Sequence, residues 1–376
     1  MQTENGKVEH LYLHVPFCAA KCHYCAFYSE AGSAAKMEDY VEAVLTELKL
    51  SVAGLDKSRQ LAPITIFFGG GTPSILPTQL MQRVLEGLRR VLSLERVREW
   101  TIECNPSTVS ADKANLFRAF GVNRVSMGVQ SLDDGLLSTL GRVHSVKAAV
   151  ESYEKLRSAN FDNINLDLMF GLPGQTLEHW RTTLRQAMEL QPEHISTYCL
   201  ILEEDTPFWS LLQQGLIKPD EELELKMYEL GIEMLTTAGY RQYEISNFAK
   251  PGRECAHNIA YWEGKDYIGL GPSACSTIGA RRWQNVSDID RYVESLKTGQ
   301  PTIGFEETLT DELRASERVA FGMRMNAGVP ADLVRKRWDK QIAELLSAEL
   351  VQWRNNRLQP TKRGILFADE IAAHFV

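Results

Sequence analysis

Short apolar runs rich in β-forming residues alternate with helical patterns six times within the first 205 residues. A chain of this kind builds a parallel sheet covered by helices, because right-handed crossovers join successive strands. An open doubly wound sheet and a barrel both satisfy this pattern. The predicted strands are 11–15, 64–68, 101–104, 124–129, 164–169 and 195–201, and the predicted helices between them are 37–52, 77–92, 111–120, 146–159 and 177–190.

Polar or glycine-rich residues stand at the ends of these predicted strands. The first strand runs into Cys18 and the second into Gly69-Gly70-Gly71, while Glu103, Gln130 and Asp167 lie in or directly after the next three. Functional groups gathered at the carboxyl ends of parallel strands are typical of a barrel-type site. Because there are six units and not eight, we predict an α/β fold with a partial (β/α)6 TIM-like barrel that is open on one side.

The regular alternation ends near residue 205. A helix is predicted at 221–238 and a loop-rich region at 243–278. We therefore predict three parts: the barrel over 1–205, its completion over 206–304 and a smaller C-terminal α/β domain over 305–376.

The C-terminal part combines helical patterns with two short strands, 350–353 and 357–360, which favours a winged-helix-like domain. Such domains often bind DNA. This one, however, carries 11 basic and 11 acidic residues and has no net charge. A lid over the barrel or a protein contact is therefore preferred over DNA binding.

The charge of the whole chain also argues against nucleic acid as a partner. Its 376 residues include 41 basic and 49 acidic side chains, a net charge of −8, whereas phosphate contacts need a basic surface. The uncharged stretch 60–82 is long enough to span a bilayer, but its prolines and glycines exclude a single helix. The first four residues do not have the pattern of a signal peptide. We expect a cytoplasmic location with at most peripheral membrane contact.

Three of the seven cysteines, Cys18, Cys22 and Cys25, lie within eight residues. In a reducing compartment this spacing indicates a metal or redox centre and not disulfides. Zinc would need a fourth ligand, for which His14 or His23 could be proposed. An iron–sulfur cube normally takes four cysteines, so three would leave one iron open. The other four, Cys104, Cys199, Cys255 and Cys275, are scattered, as small buried apolar residues often are.

The cysteine spacing resembles the Cys-x3-Cys-x2-Cys signature of the radical S-adenosylmethionine (SAM) superfamily, with Tyr24 as the aromatic residue before the last cysteine. The resemblance implies a 4Fe–4S cluster on Cys18, Cys22 and Cys25. It also implies that the open iron chelates SAM, which is cleaved to a 5′-deoxyadenosyl radical. The run from Gly69 to Pro73 is similar to the superfamily's segment for the methionine amino group.

Further segments resemble the coproporphyrinogen III oxidase-like branch of that superfamily and cover nearly the whole chain. They are Leu13–Cys18, Gly128–Ser131, Leu140–His144 and Asn165–Pro173. By this similarity, Tyr12, Gly70 and Glu103 would contact the SAM on the cluster. The place of a second SAM would be lined by Tyr24, Gly71, Thr72, Gln130, Arg142 and Asp167.

Two features separate the members of this branch. Phe27 stands where the oxidase has a fourth cysteine, and only ten residues precede Leu11, whereas the oxidase has an N-terminal extension. His257-Asn258-Ile259-Ala260-Tyr261-Trp262 resembles the His-Asn-x-x-Tyr-Trp motif of the HemW family of heme chaperones, which makes His257 a candidate heme contact. Cys275 stands where many relatives have a histidine; it would either replace that residue as a soft ligand or have no heme role.

The resemblance implies a heme chaperone that holds a 4Fe–4S cluster, SAM and heme and passes heme to acceptors such as respiratory hemoproteins. Three other interpretations remain open. The first is an oxygen-independent coproporphyrinogen III dehydrogenase, which would decarboxylate propionates by radical chemistry. The second is a zinc-stapled binding module, and the third is DNA binding through the C-terminal domain.

Overall fold

A computed structural model of the protein describes residues 6–56 and 58–376. The first four residues, on which the expectation of no signal peptide rests, lie outside this range. In the described part of the chain, we find no helix that combines the length and the apolar character needed to cross a membrane.

A twelve-stranded sheet forms the body of the molecule, and its central six strands run parallel in sequence order. These six strands confirm the predicted partial barrel. They are β1 (Lys7–Val15), β2 (Gln60–Gly70), β3 (Glu99–Cys104), β4 (Arg124–Gln130), β5 (Ile164–Phe170) and β6 (His194–Cys199).

Helices cover the outer face of the barrel, and five of them match predicted segments to within three residues at either end. Serine or threonine caps begin four of the five: the side chains of Ser33, Ser110, Ser145 and Thr176 accept hydrogen bonds from the first helical turn. The helices before residue 240 are α1 (Ala34–Ala53), α2 (Thr78–Val91), α3 (Ala111–Phe120), α4 (Asp134–Thr139), α5 (Val146–Ser158), α6 (Leu177–Glu189), α7 (Pro207–Gln213) and α8 (Glu221–Thr237).

The two faces of the barrel strands differ in character. On β4, Val125 and Met127 face the helices and are fully buried in the apolar core. Alternate residues of β4 and β5, such as Arg124, Ser126 and Asn165, point the other way. The helix-facing side therefore supplies the core, and the inner side supplies polar groups.

Further strands extend both edges of the sheet. The region 243–278, predicted as loop-rich, also contains three strands and a helix, which the prediction did not include. These elements have three to seven residues each, too few to show a period. The additional strands are β7 (Arg241–Gln242), β8 (Asn247–Ala249), β9 (Tyr267–Leu270), β10 (Cys275–Ile278), β11 (Arg281–Asn285) and β12 (Ile303–Thr308), and the helices are α9 (Ala256–Trp262) and α10 (Ile289–Lys297).

A smaller C-terminal unit has its own apolar core, which includes Val319, Leu345 and Ile371. It contains a three-stranded antiparallel sheet, as the winged-helix-like prediction requires. The predicted boundary between 304 and 305 falls inside β12, which pairs with β11 of the large sheet. Its elements are α11 (Asp311–Gly322), β13 (Val329–Pro330), α12 (Ala331–Val334), α13 (Asp339–Ser347), β14 (Val351–Arg354), β15 (Arg357–Pro360), α14 (Lys362–Leu366) and α15 (Ala368–Ala373).

Candidate functional site

The carboxyl ends of the barrel strands surround a cavity of about 640 Å³. This is the edge at which the sequence placed its functional groups. Eleven of the thirteen predicted site residues line the cavity: Cys18, Cys22, Tyr24, Cys25, Gly70, Gly71, Thr72, Glu103, Gln130, Arg142 and Asp167. Tyr12 and His257 are not among the lining residues.

The segment that carries the three cysteines is held by backbone hydrogen bonds. The Cys18 N–H donates to the carbonyl of Glu30 at 3.0 Å, and the Glu30 N–H donates to that of Pro16 at 2.8 Å. The His23 N–H reaches the carbonyl of Leu140, also at 3.0 Å. The loop is thereby attached both to its own continuation and to the segment after α4.

The glycine run presses directly against this loop. The N–H of Gly71 donates to the carbonyl of Val15 at 2.8 Å, and that of Thr72 donates to Phe17 at 2.7 Å. A Cβ at Gly71 would lie 2.6 Å from the Phe17 carbonyl oxygen. Gly70 has a φ of 105°, a conformation that side chains disfavour. The glycines thus allow β2 to approach the cysteine loop.

All three cysteines of the loop are free thiols and face the cavity. The Arg142 guanidinium lies 3.4 Å from the sulfur of Cys22, and the Thr72 hydroxyl lies 3.5 Å from that of Cys18. Burial, together with the neighbouring thiols, raises the pKa of Cys25. Three soft sulfur donors on one wall, beside a cation that favours thiolates, fit the ligand set of an iron–sulfur cluster.

The two histidines considered as fourth zinc ligands are engaged elsewhere. Nε2 of His14 lies 3.2 Å from the Tyr28 carbonyl, and its Nδ1 lies 3.1 Å from the Tyr12 hydroxyl. Nδ1 of His23 lies 2.9 Å from the Thr139 carbonyl. Across residues 6–56 and 58–376, no three His, Cys, Asp or Glu side chains are close enough to hold one metal ion.

Two carboxyl groups, of Glu103 and Asp167, line the same cavity as the cysteines. Burial, followed by the charge of Asp167, raises the pKa of Glu103 to about 8. Burial also raises the pKa of Asp167, although hydrogen bonds from Ser126 at 2.9 Å and Asn165 at 2.8 Å oppose this. Glu103 is therefore mostly protonated at neutral pH without a ligand, and a cationic ligand would favour its ionised form.

Gln130 lines the cavity at the irregular carboxyl end of β4. The pairing of β4 with β5 shifts register between Gly128 and Gln130, and Gln130 has a φ of 66°. A non-glycine residue in the left-handed region stores strain, which is common at functional sites.

Tyr12 and His257 lie behind the cavity wall. Both rings pack on Phe67, which lines the cavity, with centroid distances of 6.3 and 5.1 Å. The Thr65 hydroxyl lies 2.8 Å from Nδ1 of His257 and 2.8 Å from Nδ1 of His10. Burial, followed by His10 and Arg124, lowers the pKa of His257 to about 3, so its imidazole is neutral. The structure thus places the predicted heme contact beside the cavity and not on its surface.

Sequence reasoning missed several cavity residues. Inner-face polar groups that line the cavity include Arg124, Ser126, Asn165, Ser196 and Asn247. The signal for some of them was present, since Arg124 and Ser126 alternate with apolar residues inside a predicted strand. At the mouth, Phe27, Val143 and Ile201 are 70, 54 and 68% exposed, which gives the opening an apolar rim.

Comparison with known proteins identifies the class first. The family described as the Radical SAM superfamily matches residues 12–187, and the HemN C-terminal domain matches residues 309–367. The structure of coproporphyrinogen III oxidase (HemN) from Escherichia coli, described as a radical SAM enzyme, is similar with a TM-score of 0.84 and 26% identity. The alignment covers 98% of this chain and 90% of that one. Fold and cysteine site thus define a radical SAM protein.

Curated relatives then identify the family. The chain is 36% identical to the heme chaperone HemW of Bacillus subtilis, over 97% of this chain and 98% of that protein. It is 37% identical to HemW of Escherichia coli over 97% of each chain, and 33% identical to HemW of Lactococcus lactis over 97 and 96%. The chain belongs to the HemW family of heme chaperones.

Proposed function

We propose that this protein is a heme chaperone of the radical SAM type. It binds a 4Fe–4S cluster through Cys18, Cys22 and Cys25, and it also binds SAM and heme. It passes heme to acceptor proteins such as respiratory hemoproteins, works in the cytoplasm and makes at most peripheral contact with the membrane. Family membership supports the chaperone activity, and the observation that carries the cofactor site is the convergence of three free thiols on one cavity at the carboxyl ends of the strands.

The cavity walls have the groups that SAM binding needs. Gly70 and Glu103 in the cavity wall, and Tyr12 behind Phe67, are the proposed contacts of the SAM at the cluster, since carboxylates bind ammonium groups and ribose hydroxyls. The cluster, when bound, supplies an electron to SAM. The proposed lining of a second SAM site consists of Tyr24, Gly71, Thr72, Gln130, Arg142 and Asp167.

The proposed heme contact is His257. Its Nδ1 is fixed by Thr65, which leaves Nε2 as the nitrogen for iron, and a neutral imidazole is the form that binds metals. Phe67 separates this ring from the cavity, so binding at His257 requires Phe67 to move. The apolar rim of Phe27, Val143 and Ile201 suits the entry of a flat macrocycle through the mouth.

The test is an anaerobic heme titration of the cluster-reconstituted protein, followed by absorbance. We expect stoichiometric binding, and a shifted Soret band in His257→Ala. His374→Ala, which removes an exposed histidine of the C-terminal unit, is the control and should match wild type. About four irons per chain are expected in wild type and fewer in Cys22→Ala. An intact cluster without heme binding would contradict the chaperone proposal.

A second candidate is the coproporphyrinogen III dehydrogenase reaction, which the structural similarity to HemN favours. Phe27, 70% exposed, stands where a fourth cysteine would be expected for that enzyme and argues against it. The assay is anaerobic incubation of the reconstituted protein with coproporphyrinogen III, SAM and a reductant. Formation of protoporphyrinogen would establish this activity in place of heme transfer.

A further inference from the structure

Arg124, at the start of β4, is a buried cation that lines the cavity. Its side chain is 2% exposed. Its Nε has no hydrogen-bond partner in the described part of the chain, and the ion pairs found there do not include Arg124. A buried charge without a direct partner is unfavourable, because the lost hydration is not replaced. Such a group is a candidate for binding an anion that the free protein lacks.

The acidic side chains around Arg124 are directed elsewhere. The Glu99 carboxylate accepts hydrogen bonds from the N–H groups of Ala256 at 2.8 Å and His257 at 2.9 Å. Asp167 accepts from Ser126 and Asn165. The negative charges of Glu99 and Asp167 favour the cationic form of Arg124 by electrostatic attraction. Hydrogen bonds from Arg124 to these carboxylates are not among the interactions that raise its pKa.

A carboxylate entering the cavity would find the Nε of Arg124 without a hydrogen-bond partner. Asn258 lines the same cavity and can add an amide donor. Glu103 has a pKa of about 8, so it adds little negative charge at neutral pH to repel an anion. A guanidinium binds a carboxylate through two parallel hydrogen bonds, which makes this the anion that Arg124 recognises best.

We propose that Arg124 is a binding residue for a propionate carboxylate of the heme carried by this protein. The inference rests on the proposed heme chaperone function. SAM also has a carboxylate, but the open iron and Arg142 already offer partners to the SAM molecules of the cavity. Heme brings two further carboxylates, and Arg124 is the buried cation without a direct partner that can receive one.

The first experiment compares heme with heme dimethyl ester, whose propionates are uncharged, in anaerobic titrations of the reconstituted wild-type protein. We expect the free acid to bind about tenfold or more tightly, in line with a hydrogen bond to a charged group. This comparison does not depend on the folding of a variant. Equal affinities for the two porphyrins would overturn the proposal.

The second experiment repeats both titrations with Arg124→Gln. We expect it to bind the free acid about tenfold more weakly and the diester as wild type does, so the preference disappears. Arg124→Lys keeps the charge without the paired donors and should lose part of the preference. Arg118→Gln, in which a half-buried arginine outside the cavity is replaced, is the matched control.

SAM titrations of the same proteins separate the two carboxylate sources. Weaker SAM binding in Arg124→Gln, with the heme preference unchanged, would assign the group to SAM and overturn the propionate proposal. Thermal unfolding and iron content of each variant identify losses caused by misfolding. Failure of the wild-type protein to bind either porphyrin would contradict the chaperone function itself. An Arg124→Gln variant that binds both porphyrins as wild type does would overturn only the propionate proposal.

Discussion

At the residue scale, two glycines determine how closely β2 approaches the cysteine loop. Gly70 and Gly71 stand where β2 meets the cysteine loop, and neither position has room for a methyl group. The sequence predicted a glycine-rich loop for SAM. The structure adds that this segment also holds the start of the cysteine loop against the sheet, because Gly71 donates a hydrogen bond to the carbonyl of Val15, which ends β1, and Thr72 donates to that of Phe17.

Gly71→Ala should destabilise the protein by about 2 kcal/mol and lower its iron content, because the new Cβ would overlap the backbone of Phe17. Urea unfolding monitored by circular dichroism, with iron analysis after reconstitution, measures both effects. Gly231→Ala is the control, since a Cβ there meets Trp180 at an ordinary 3.7 Å within α8. An alanine at residue 71 that left both quantities unchanged would show that the close approach is not required.

Asp167 should be held in place by its two hydrogen-bonding neighbours. Asn165→Leu removes the amide that donates to Asp167 and the oxygen that accepts from His194 at 2.6 Å and Ser196 at 3.1 Å. We expect a loss of about 2 kcal/mol in stability, because buried polar groups remain unpaired. Asn163→Leu, two residues earlier and outside the cavity, is the comparison. Similar unfolding curves for Asn165→Leu and wild type would contradict this network.

At the scale of elements, the length of a strand or helix decided whether it could be predicted from the sequence. The strands and helices of the barrel are long enough to show alternation or helical periodicity, and most of their bounds were predicted within a few residues. The strands β7 to β10 have two to four residues each. Their existence depends on partners far along the chain: β9, for example, pairs in parallel with β1.

One buried carboxyl group ties several elements together. Glu47 of α1 accepts hydrogen bonds from the Gly271 N–H at 2.7 Å, from Asn285 at 2.6 Å and from the Tyr292 hydroxyl at 2.5 Å. Burial raises the pKa of Glu47 from 4.5 to about 7. Its partners follow β9, end β11 and lie in α10, so the group fastens the edge of the sheet to the first helix.

Glu47 should give the protein a pH-dependent stability of definite sign. The folded state holds the proton more tightly than the unfolded state, so this contribution is complete below about pH 4.5 and is lost as the pH rises to about 7. The free energy of unfolding of wild type relative to Glu47→Gln should therefore fall by about 3 kcal/mol across this range. Urea titrations at several pH values measure it.

Glu38→Gln is the control for this measurement, because Glu38 lies on the same helix but is exposed and paired with Arg83. Its difference from wild type should vary little over the same pH range. A constant difference between wild type and Glu47→Gln would contradict the raised pKa.

At the scale of the whole molecule, the C-terminal unit is joined to the barrel by charged groups. Asp266, before β9, is 4% exposed and binds Arg314 of α11 at 2.5 Å. It also lies 3.6 Å from Arg59 and accepts from the Gly279 N–H at 3.1 Å. Arg282 of β11 pairs with Glu317 of α11 as well. These contacts hold the first helix of the C-terminal unit against the sheet edge.

Asp266→Asn should cost about 2 kcal/mol, because it leaves two partly buried arginines without their shared carboxylate. A double-mutant cycle with Arg314→Gln, measured by urea unfolding, isolates the pair. Glu263→Gln, which removes an exposed partner of Lys265, is the control. Additive effects of the Asp266 and Arg314 substitutions would show that the pair does not couple the two units.

The features of this protein that could be predicted from its sequence depend on residues that are close together in the chain. Cysteine spacing, the glycine run and strand–helix alternation each involve neighbours within about twenty residues. These patterns predicted the partial barrel, and they placed the cysteine loop and the glycine run at the same edge of its sheet. The HemW resemblance also depended on such short motifs.

Only the tertiary structure decided which groups are buried together and which lack partners. His257 contacts Thr65 across 192 positions and its N–H reaches Glu99 across 158, so its place behind Phe67 could not be read from its own motif. Whether the Nε of Arg124 has a partner likewise depends on where Glu99 and Asp167 point. Burial and hydrogen bonding between distant segments follow from register and packing, for which a short window of sequence has no signal.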